Sequence, residues 1–268
     1  LEGIATGGGG IGATRSFVTV ERSGIYDNFA NGFGGGIGVL GALGGGGGAI
    51  EVVSSTLSGN TIDVLSGSAI GGVFLDFTLV LNSTISGNTN LYDEFDTGGG
   101  AAISGRTLYL INSTVTGNIG AINEQSFPAG AVIANAVTMA NSIVLGNTAA
   151  DSPREELRTV DPTFLGLNIV GTETSDLFVQ GGDGVDLDVT DFDTVINATP
   201  SEIFAETVEL VGNDGLPNTA DDVLSGLPAD NGGPVETVLL LQQSTNPAID
   251  AGNDGSLSED GTFLTSIV

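Results

Sequence analysis

Ser55-Thr-Leu-Ser-Gly-Asn60, Ser83-Thr-Ile-Ser-Gly-Asn88, Ser113-Thr-Val-Thr-Gly-Asn118 and Ser142-Ile-Val-Leu-Gly-Asn147 are four copies of one short pattern. A fainter copy is Ser23-Gly-Ile-Tyr-Asp-Asn28. The closing Asn residues lie 32, 28, 30 and 29 residues apart, counted from 28 to 60, 60 to 88, 88 to 118 and 118 to 147. A constant period of this length is typical of a solenoid in which each period forms one coil.

The residues between the copies favour strands. In the stretches 78–85 and 106–115, β-branched and aliphatic residues dominate and no helical period appears. Clusters of Gly precede each strand region, as at 45–48 and 98–100, and provide turns. We therefore predict an all-β fold, a single-stranded parallel β-helix with coils of about 30 residues and an aliphatic core. Chain chirality predicts a right-handed sense.

Asn residues recur at two equivalent points of the repeat. One set comes directly before the Ser: Asn82, Asn112 and Asn141. The other set closes the pattern: Asn60, Asn88, Asn118 and Asn147. Asn tolerates left-handed turns, and stacked Asn side chains can hydrogen-bond to their copies in neighbouring coils. Both sets are predicted to be structural, as turn or ladder residues.

The repeat divides the chain into three parts. Residues 1–150 are predicted to form regular coils. Residues 151–253 begin with a polar insertion at 151–158 and continue as an irregular β-helix. Within this part, alternating apolar and acidic residues at 182–193 predict an exposed strand, and 201–210 a short helix or strand. Residues 254–268 are expected to be a tail or linker.

The charge balance limits the partners. Five Arg oppose 33 acidic residues, Lys is absent, and the formal net charge is −28. Such a chain repels nucleic acid and anionic lipid, which predicts no nucleic-acid partner. No apolar stretch is long enough to span a bilayer, so this segment is expected not to insert into a membrane. The acidity suits an exported protein, and it also offers ligands for hard cations.

The absence of Cys and His limits the chemistry. Without Cys the chain has neither disulfides nor thiolate metal sites, and without His it lacks the commonest general base. Many schemes of acid–base, nucleophilic and metal catalysis are excluded on this ground.

Longer sequence blocks resemble known surface proteins. The Gly-Gly-x-Ile clusters followed by Ser-x-Ile-x-x-Asn look like repeats of polymorphic outer-membrane proteins and other β-helical adhesins. A more specific resemblance, to the choice-of-anchor Q domain of bacterial surface proteins, covers roughly residues 50–253. Its motifs are Asn141-Ser-Ile-Val-Leu-Gly-Asn147, Leu167-Asn-Ile-Val-Gly171, Leu227-Pro-Ala-Asp-Asn-Gly-Gly-Pro-Val-Glu-Thr237 and Asn246-Pro-Ala-Ile-Asp-Ala-Gly-Asn253.

The resemblance implies a β-helix outside the cell with a separate C-terminal anchoring segment, and it implies no catalytic residues. Relatives continue into Asp-Gln-Arg-Gly and Asp-Ile-Gly-Ala blocks, which residues 254–268 do not show. The tail is therefore expected to lead toward an anchor that is missing or replaced.

One loop has the composition of a calcium site. Between residues 212 and 222, four oxygen-bearing side chains could converge on Ca²⁺, which prefers such ligands: Asp214, Asn218, Asp221 and Asp222. The spacing differs from that of an EF-hand, and Asp and Asn are also frequent in turns. The acidic stretch 182–193 could bind calcium in the same way or form a solvated face.

An enzyme is the main alternative, because a β-helix can present a long groove to a polysaccharide. A hydrolase would need two carboxylates, for which Asp221 with Asp222, or Asp76 with Asp93, are candidates. A lyase would need a base such as Arg106 or Tyr109. Spacing by three places Arg106 and Tyr109 on opposite faces of a strand, which favours a structural use.

The sequence thus favours a non-catalytic, exported surface protein, a β-helical rod for adhesion or self-assembly. Expected partners are other copies, joined end to end or laterally, and a polysaccharide or another cell-surface ligand. The alternatives are a polysaccharide lyase or hydrolase, and a calcium-dependent carbohydrate-binding module.

Overall fold

A computed structural model describes residues 8–41, 47–63, 68–71, 75–91, 102–120, 131–149, 156–180, 186–211 and 222–249. These residues confirm the predicted parallel β-helix: a solenoid of stacked coils of about 29 residues with almost no helix. No helix in the described ranges is long and apolar enough to cross a membrane.

Each coil contributes two to four short strands. Coil 1 has β1 (Ile11–Thr14), β2 (Phe17–Glu21), β3 (Gly24–Tyr26) and β4 (Phe29–Ala30). Coil 2 has β5 (Ile37–Leu40), β6 (Gly48–Val53), β7 (Thr56–Ser58) and β8 (Thr61–Ile62). Coil 3 has β9 (Ile70–Gly71), β10 (Leu75–Leu81), β11 (Thr84–Ser86) and β12 (Thr89–Asn90).

From coil 4 onward the first two strands merge into one. Coil 4 has β13 (Ile103–Ile111), β14 (Thr114–Thr116) and β15 (Ile119–Gly120), and coil 5 has β16 (Val132–Ala140), β17 (Ile143–Val144) and β18 (Thr148–Ala149). Coil 6 has β19 (Leu157–Leu165) and β20 (Asn168–Val170), and a last partial coil has β21 (Leu177–Val179) and β22 (Val195–Ile196). The coils therefore continue beyond Asn147, where the sequence repeat becomes irregular.

The strands stack in three parallel sheets. Sheet A has ten strands and carries the first strands of every coil, β1, β2, β5, β6, β9, β10, β13, β16, β19 and β21. Sheet B has seven, in the order β22-β20-β17-β14-β11-β7-β3, and sheet C five, in the order β18-β15-β12-β8-β4. Equivalent residues of successive coils lie side by side, as in Val80↔Leu110 and Leu110↔Met139. This register stacks inward side chains in columns.

The core is a set of such columns. Along sheet B, one column consists of Ile25, Leu57, Ile85, Val115, Val144 and Val170, all buried. Burial of each aliphatic side chain stabilises the fold by about 1.5–3 kcal/mol, before the entropy cost of ordering the chain. Because each coil contributes one side chain to each column, every coil adds a similar increment.

Thr78 interrupts a core column. It lies between Ile50 and Leu108, is fully buried, and its Oγ1 has no hydrogen-bond partner. We expect Thr78→Val to raise the free energy of unfolding by about 1 kcal/mol, because an isosteric methyl group replaces an unsatisfied hydroxyl group. Urea unfolding measures the change, with Thr107→Val, a half-buried position on the neighbouring strand, as the control. A loss of stability in Thr78→Val would show that the hydroxyl group is satisfied in solution.

Left-handed residues form the corners between sheets A and B. Asn82, Asn112 and Asn141 have φ of 49°, 47° and 48°, and Arg22 and Ser54 take the same position in coils 1 and 2. The second corner, between sheets B and C, uses Asp27 in coil 1 and Gly59, Gly87, Gly117 and Gly146 in coils 2 to 5, again with positive φ. Gly and Asn, which occupy most of these corners, adopt a positive φ at little cost.

The segment 182–193 does not form the predicted strand in its described part. Leu187 makes an isolated bridge to Val179, and the chain then enters a short 3₁₀ helix, Val189–Asp191. Asp188 caps this helix, with Oδ1 accepting from the backbone N–H of Thr190 at 2.7 Å, and Asp191 accepts from the N–H of Asp188 at 2.9 Å. These capping bonds replace those of a strand.

The chain then folds back over the outer face of sheet B. It forms α1 (Pro200–Ile203) and two antiparallel pairs, β23 (Thr207–Leu210) with β24 (Val223–Gly226), and β25 (Pro228–Ala229) with β26 (Thr237–Val238). We call residues 222–249 the C-terminal segment. The N–H of Gly226 donates to Oγ1 of Thr116, a coil 4 residue, at 3.0 Å. Oγ1 of Thr56, a coil 2 residue, donates to the carbonyl of Glu236.

A second apolar cluster fixes the C-terminal segment. It consists of Ile143, Leu145, Ile169, Ala198, Ile203 and Phe204, with Val238, Leu240 and Ala248 packed against it. Some outward side chains of sheet B are consequently buried, although a solenoid face is ordinarily exposed; Thr56 and Thr116 have no exposed surface. The motifs at 227–237 and 246–249, quoted above for their resemblance to choice-of-anchor Q domains, thus belong to a segment that packs on sheet B.

Candidate functional site

The most distinctive polar feature of the chain is a buried row of Asn side chains. In each coil, the backbone N–H and the Nδ2 of one Asn both donate to the Oδ1 of the next, at distances between 2.7 and 3.2 Å. We call this the Asn ladder; its members are Asn28, Asn60, Asn88, Asn118 and Asn147. All except Asn28 are buried. These Asn-to-Asn bonds all run toward the C-terminal coils, so the ladder has a direction. The Nδ2 groups of the four buried members also donate to a backbone carbonyl of the preceding coil.

A second row, the Ser ladder, has the same direction. The backbone N–H groups of Ser23, Ser55, Ser83 and Ser113 each donate to the Oγ of the next Ser at 3.1 Å, ending at Ser142. The N–H of Ser142 donates to Asn168 Oδ1, also at 3.1 Å. An Asn side chain therefore terminates the Ser ladder in coil 6. The sequence repeat had indicated the aligned Ser residues but not these bonds.

The carboxyl group of Glu156 terminates the Asn ladder. Asn147 donates to it from the backbone N–H, to Oε1 at 3.0 Å, and from Nδ2, to Oε2 at 2.6 Å. Glu156 is only 4% exposed, and its own N–H donates to the carbonyl of Asp176 at 2.8 Å. Glu156 was not predicted as a site residue, because a Glu in a polar insertion resembles a surface residue.

Burial raises the pKa of Glu156 to about 8, and the nearby charge of Asp176 adds to the rise, while the hydrogen bonds from Asn147 oppose it. Burial also raises the pKa of Asp176, against the N–H groups of Glu173 and Thr172, which donate to its Oδ2 at 2.9 and 2.7 Å. Two buried carboxyl groups therefore lie together where sheet C ends, and burial raises the pKa of both.

The Asn residues of the sheet A–B corner lie in a different environment. Asn112 is exposed, Asn141 is half-buried, and Asn141 Nδ2 donates to Asn112 Oδ1 at a long 3.3 Å. The predicted turn or ladder residues thus divide by role. Asn60, Asn88, Asn118 and Asn147 form the buried ladder, whereas Asn82, Asn112 and Asn141 provide the left-handed turn.

Of the predicted calcium ligands, Asp214, Asn218 and Asp221 lie outside the described residues, and Asp222 begins the C-terminal segment. Their convergence on a calcium ion stays a prediction. Within the ranges that the structure describes, no three carboxylate side chains lie close enough together to hold a metal ion.

The candidate catalytic residues on sheet A make scaffold contacts. Asp76 Oδ2 accepts from the N–H of Gly47 at 2.9 Å, and Asp76 Oδ1 forms an exposed 3.4 Å ion pair with Arg106. The ring of Tyr109 packs on Phe77 with centroids 5.3 Å apart. Asp93, the proposed partner of Asp76, lies outside the described residues.

A cavity of about 300 Å³ opens between coils 4 to 6 and the C-terminal segment. Its floor is aliphatic, with Ile143, Ile169 and Leu240, and the side chains of Asn112 and Asn141 lie at its edge. The cavity has the size of a small sugar, but its lining carries no charged side chain.

Comparisons of the chain with protein-family models, with curated proteins and with solved structures found no match.

Proposed function

We propose that this chain is a non-catalytic structural part of an exported cell-surface protein, a β-helical rod that holds an adhesive or assembling surface away from the cell. The single observation that carries the proposal is the pair of unbroken hydrogen-bond ladders. From coil 1 to coil 5, every Ser and Asn at the repeat positions bonds to the next coil.

The ladders support a structural role because they use the repeated polar side chains for internal bonding. Asn60, Asn88 and Asn118 each donate to and accept from neighbouring coils, and the C-terminal segment bonds to Thr56 and Thr116 on sheet B. Buried, fully bonded polar rows make a scaffold rigid and specify one register. The charge of −28 and the resemblance to choice-of-anchor Q surface proteins support an exported location.

The rival carbohydrate-binding function rests on the cavity beside Asn112 and Asn141. We expect the purified protein to release no reducing ends from neutral or acidic polysaccharides. We also expect millimolar calcium to raise its melting temperature no more than the same concentration of magnesium, because a ligand stabilises only through specific binding. Scanning calorimetry and a reducing-sugar assay measure both quantities.

Two results would contradict the structural role. Depolymerisation of a polysaccharide would make the chain an enzyme. A rise in melting temperature that is specific to calcium, saturates, and is lost in Asp214→Asn would instead indicate a calcium-dependent module.

A further inference from the structure

The turn between β25 and β26 carries one of the two Asn-Gly pairs in the chain, Asn231-Gly232. Asp230, Asn231 and Gly232 are all exposed, and Gly232 has a φ of 87°, which Gly adopts freely. A Cβ placed on Gly232 would have no described atom of a non-neighbouring residue within 4 Å. Water and the Asn231 side chain therefore have open access to the backbone nitrogen of Gly232.

The hydrogen bonds of this turn involve the groups that react when an Asn-Gly pair closes to a succinimide. The nucleophile of that reaction is the backbone nitrogen of Gly232, whose N–H donates to Asp230 Oδ1 at 3.0 Å. The leaving group is Nδ2 of Asn231, which donates to the Thr237 carbonyl at 2.8 Å and to Thr237 Oγ1 at 3.2 Å. A carboxylate group thus accepts the proton that the nucleophile has to lose, and Thr237 orients the side-chain amide.

We propose that Asn231 is a site of self-modification, at which Asp230 acts as the general base. Asp230 takes the proton of the Gly232 N–H, and the nitrogen lone pair forms a bond to Cγ of Asn231. The bond between Cγ and Nδ2 then breaks, and Nδ2 takes up a proton from Asp230 and leaves as ammonia, which regenerates the carboxylate. Water opens the succinimide ring at either carbonyl and yields Asp or isoaspartate. The nucleophile and the base are adjacent in the chain, and water is the only co-reactant.

Conversion of Asn231 changes the turn in two ways. The new carboxylate group cannot donate, so the bonds to Thr237 are lost, and a negative charge appears beside Asp230. The carbonyl of Glu236, the residue before Thr237, accepts from Thr56 Oγ1. The modification therefore acts next to one of the contacts that hold the C-terminal segment on sheet B. Because the chemistry needs only this turn and water, it is independent of the proposed structural role.

The other Asn-Gly pair, Asn31-Gly32, provides a comparison within the same chain. It follows β4, where Asn31 is half-buried and Gly32 is buried. Close packing around a buried backbone resists the movement that ring closure requires, and it limits the access of water. The residue types of the two pairs are the same, so a difference between their rates in the folded protein reports the structure around them.

The test incubates the folded protein at neutral pH and follows both pairs by peptide mass spectrometry, with isoaspartate as the diagnostic product. We expect Asn231 to lose its amide about tenfold faster than Asn31, the size of effect that a positioned general base and open access can supply. In urea, where the turn and the packing are both lost, the two rates should become similar. Circular dichroism verifies that the protein stays folded during the incubation without urea.

The decisive variant is Asp230→Asn, which keeps an oxygen to accept from the Gly232 N–H but removes the base. We expect the rate at Asn231 to fall about tenfold, with the rate at Asn31 unchanged. The matched control is Glu236→Gln, which removes one negative charge from the same exposed turn and should leave the rate at Asn231 unchanged.

Three outcomes would overturn the proposal. In the folded protein, Asn231 could keep its amide as long as Asn31 does, which would mean that the turn protects it. Asp230→Asn could react as fast as the parent, which would leave Asp230 a turn residue only. Glu236→Gln could slow the reaction as much as Asp230→Asn, which would make the effect one of overall charge. None of these readouts involves polysaccharide cleavage or calcium.

Discussion

Asn88→Ala is expected to lower the free energy of unfolding by about 2–6 kcal/mol. The substitution removes the acceptor of two buried hydrogens of Asn60, one on the backbone N–H and one on Nδ2, while the other Nδ2 hydrogen keeps its bond to the carbonyl of Ile25. Each buried donor that loses its partner costs about 1–3 kcal/mol. The change is measured by urea or thermal unfolding with a probe of sheet content, and it should appear as a lower midpoint.

The matched control is Asn82→Gly in the same coil. Asn82 has a φ of 49°, which Gly adopts freely, and its side chain is outside the Asn ladder. Its effect should stay within about 0.5 kcal/mol, the usual range for surface changes. Equal losses in Asn88→Ala and Asn82→Gly would mean that the Asn ladder contributes no more to stability than an ordinary turn.

Glu156→Gln is expected to stabilise the protein at alkaline pH and to leave it nearly unchanged at pH 5. A Gln can close the Asn ladder because one amide oxygen accepts both donors of Asn147, as each Asn Oδ1 does in the ladder. A Gln also carries no charge, so its burial costs less than that of an ionised Glu.

The sign of the pH effect follows from the raised pKa of Glu156. Folding moves this pKa from 4.5 to about 8, so between those values the folded protein holds a proton that the unfolded chain has released. Stability from Glu156 is thus complete below pH 4.5 and is lost as the pH rises through 8. The full shift corresponds to at most about 5 kcal/mol.

Unfolding free energies of both proteins at pH 5, 7 and 9 provide the measurement, and their difference should grow with pH. Glu206→Gln removes the same charge from an exposed position, and its difference from the parent should be flat. Parallel pH profiles for Glu156→Gln and the parent would show that the hydrogen bonds from Asn147 keep the carboxylate ionised in the folded protein.

Much of the fold could be predicted from the sequence because the residues that determine it recur at a regular period. A Ser and an Asn that recur every 28 to 32 residues can stack only if each period is one coil, and the Asn ladder and the left-handed Asn82 are then direct consequences. The corners of coils 1 and 2 are harder to predict, since Arg22 and Ser54 hold the same left-handed position without the Asn signal.

Structural features that occur only once in the chain leave no repeat in the sequence and could not be predicted from it. Glu156 lies nine residues after Asn147, in a polar insertion that indicates a surface loop, and only the position of Leu157 in sheet A brings it under the ladder. At Asp188 the alternating pattern was misleading, because Asp-Val-Thr-Asp191 also matches a helix-capping sequence, and the caps formed. The cover over sheet B depends on contacts far apart in sequence, such as Thr56 with Glu236.

Those distant contacts have a consequence for how the molecule forms and how it resists force. Neighbouring coils join residues about 29 positions apart, whereas the C-terminal segment joins residues 110 and 180 positions apart. Loops of that length close slowly, so the coils can assemble first and the segment docks last, on a finished surface. Tension applied at the C-terminus would accordingly detach this segment before any coil of the solenoid unwinds.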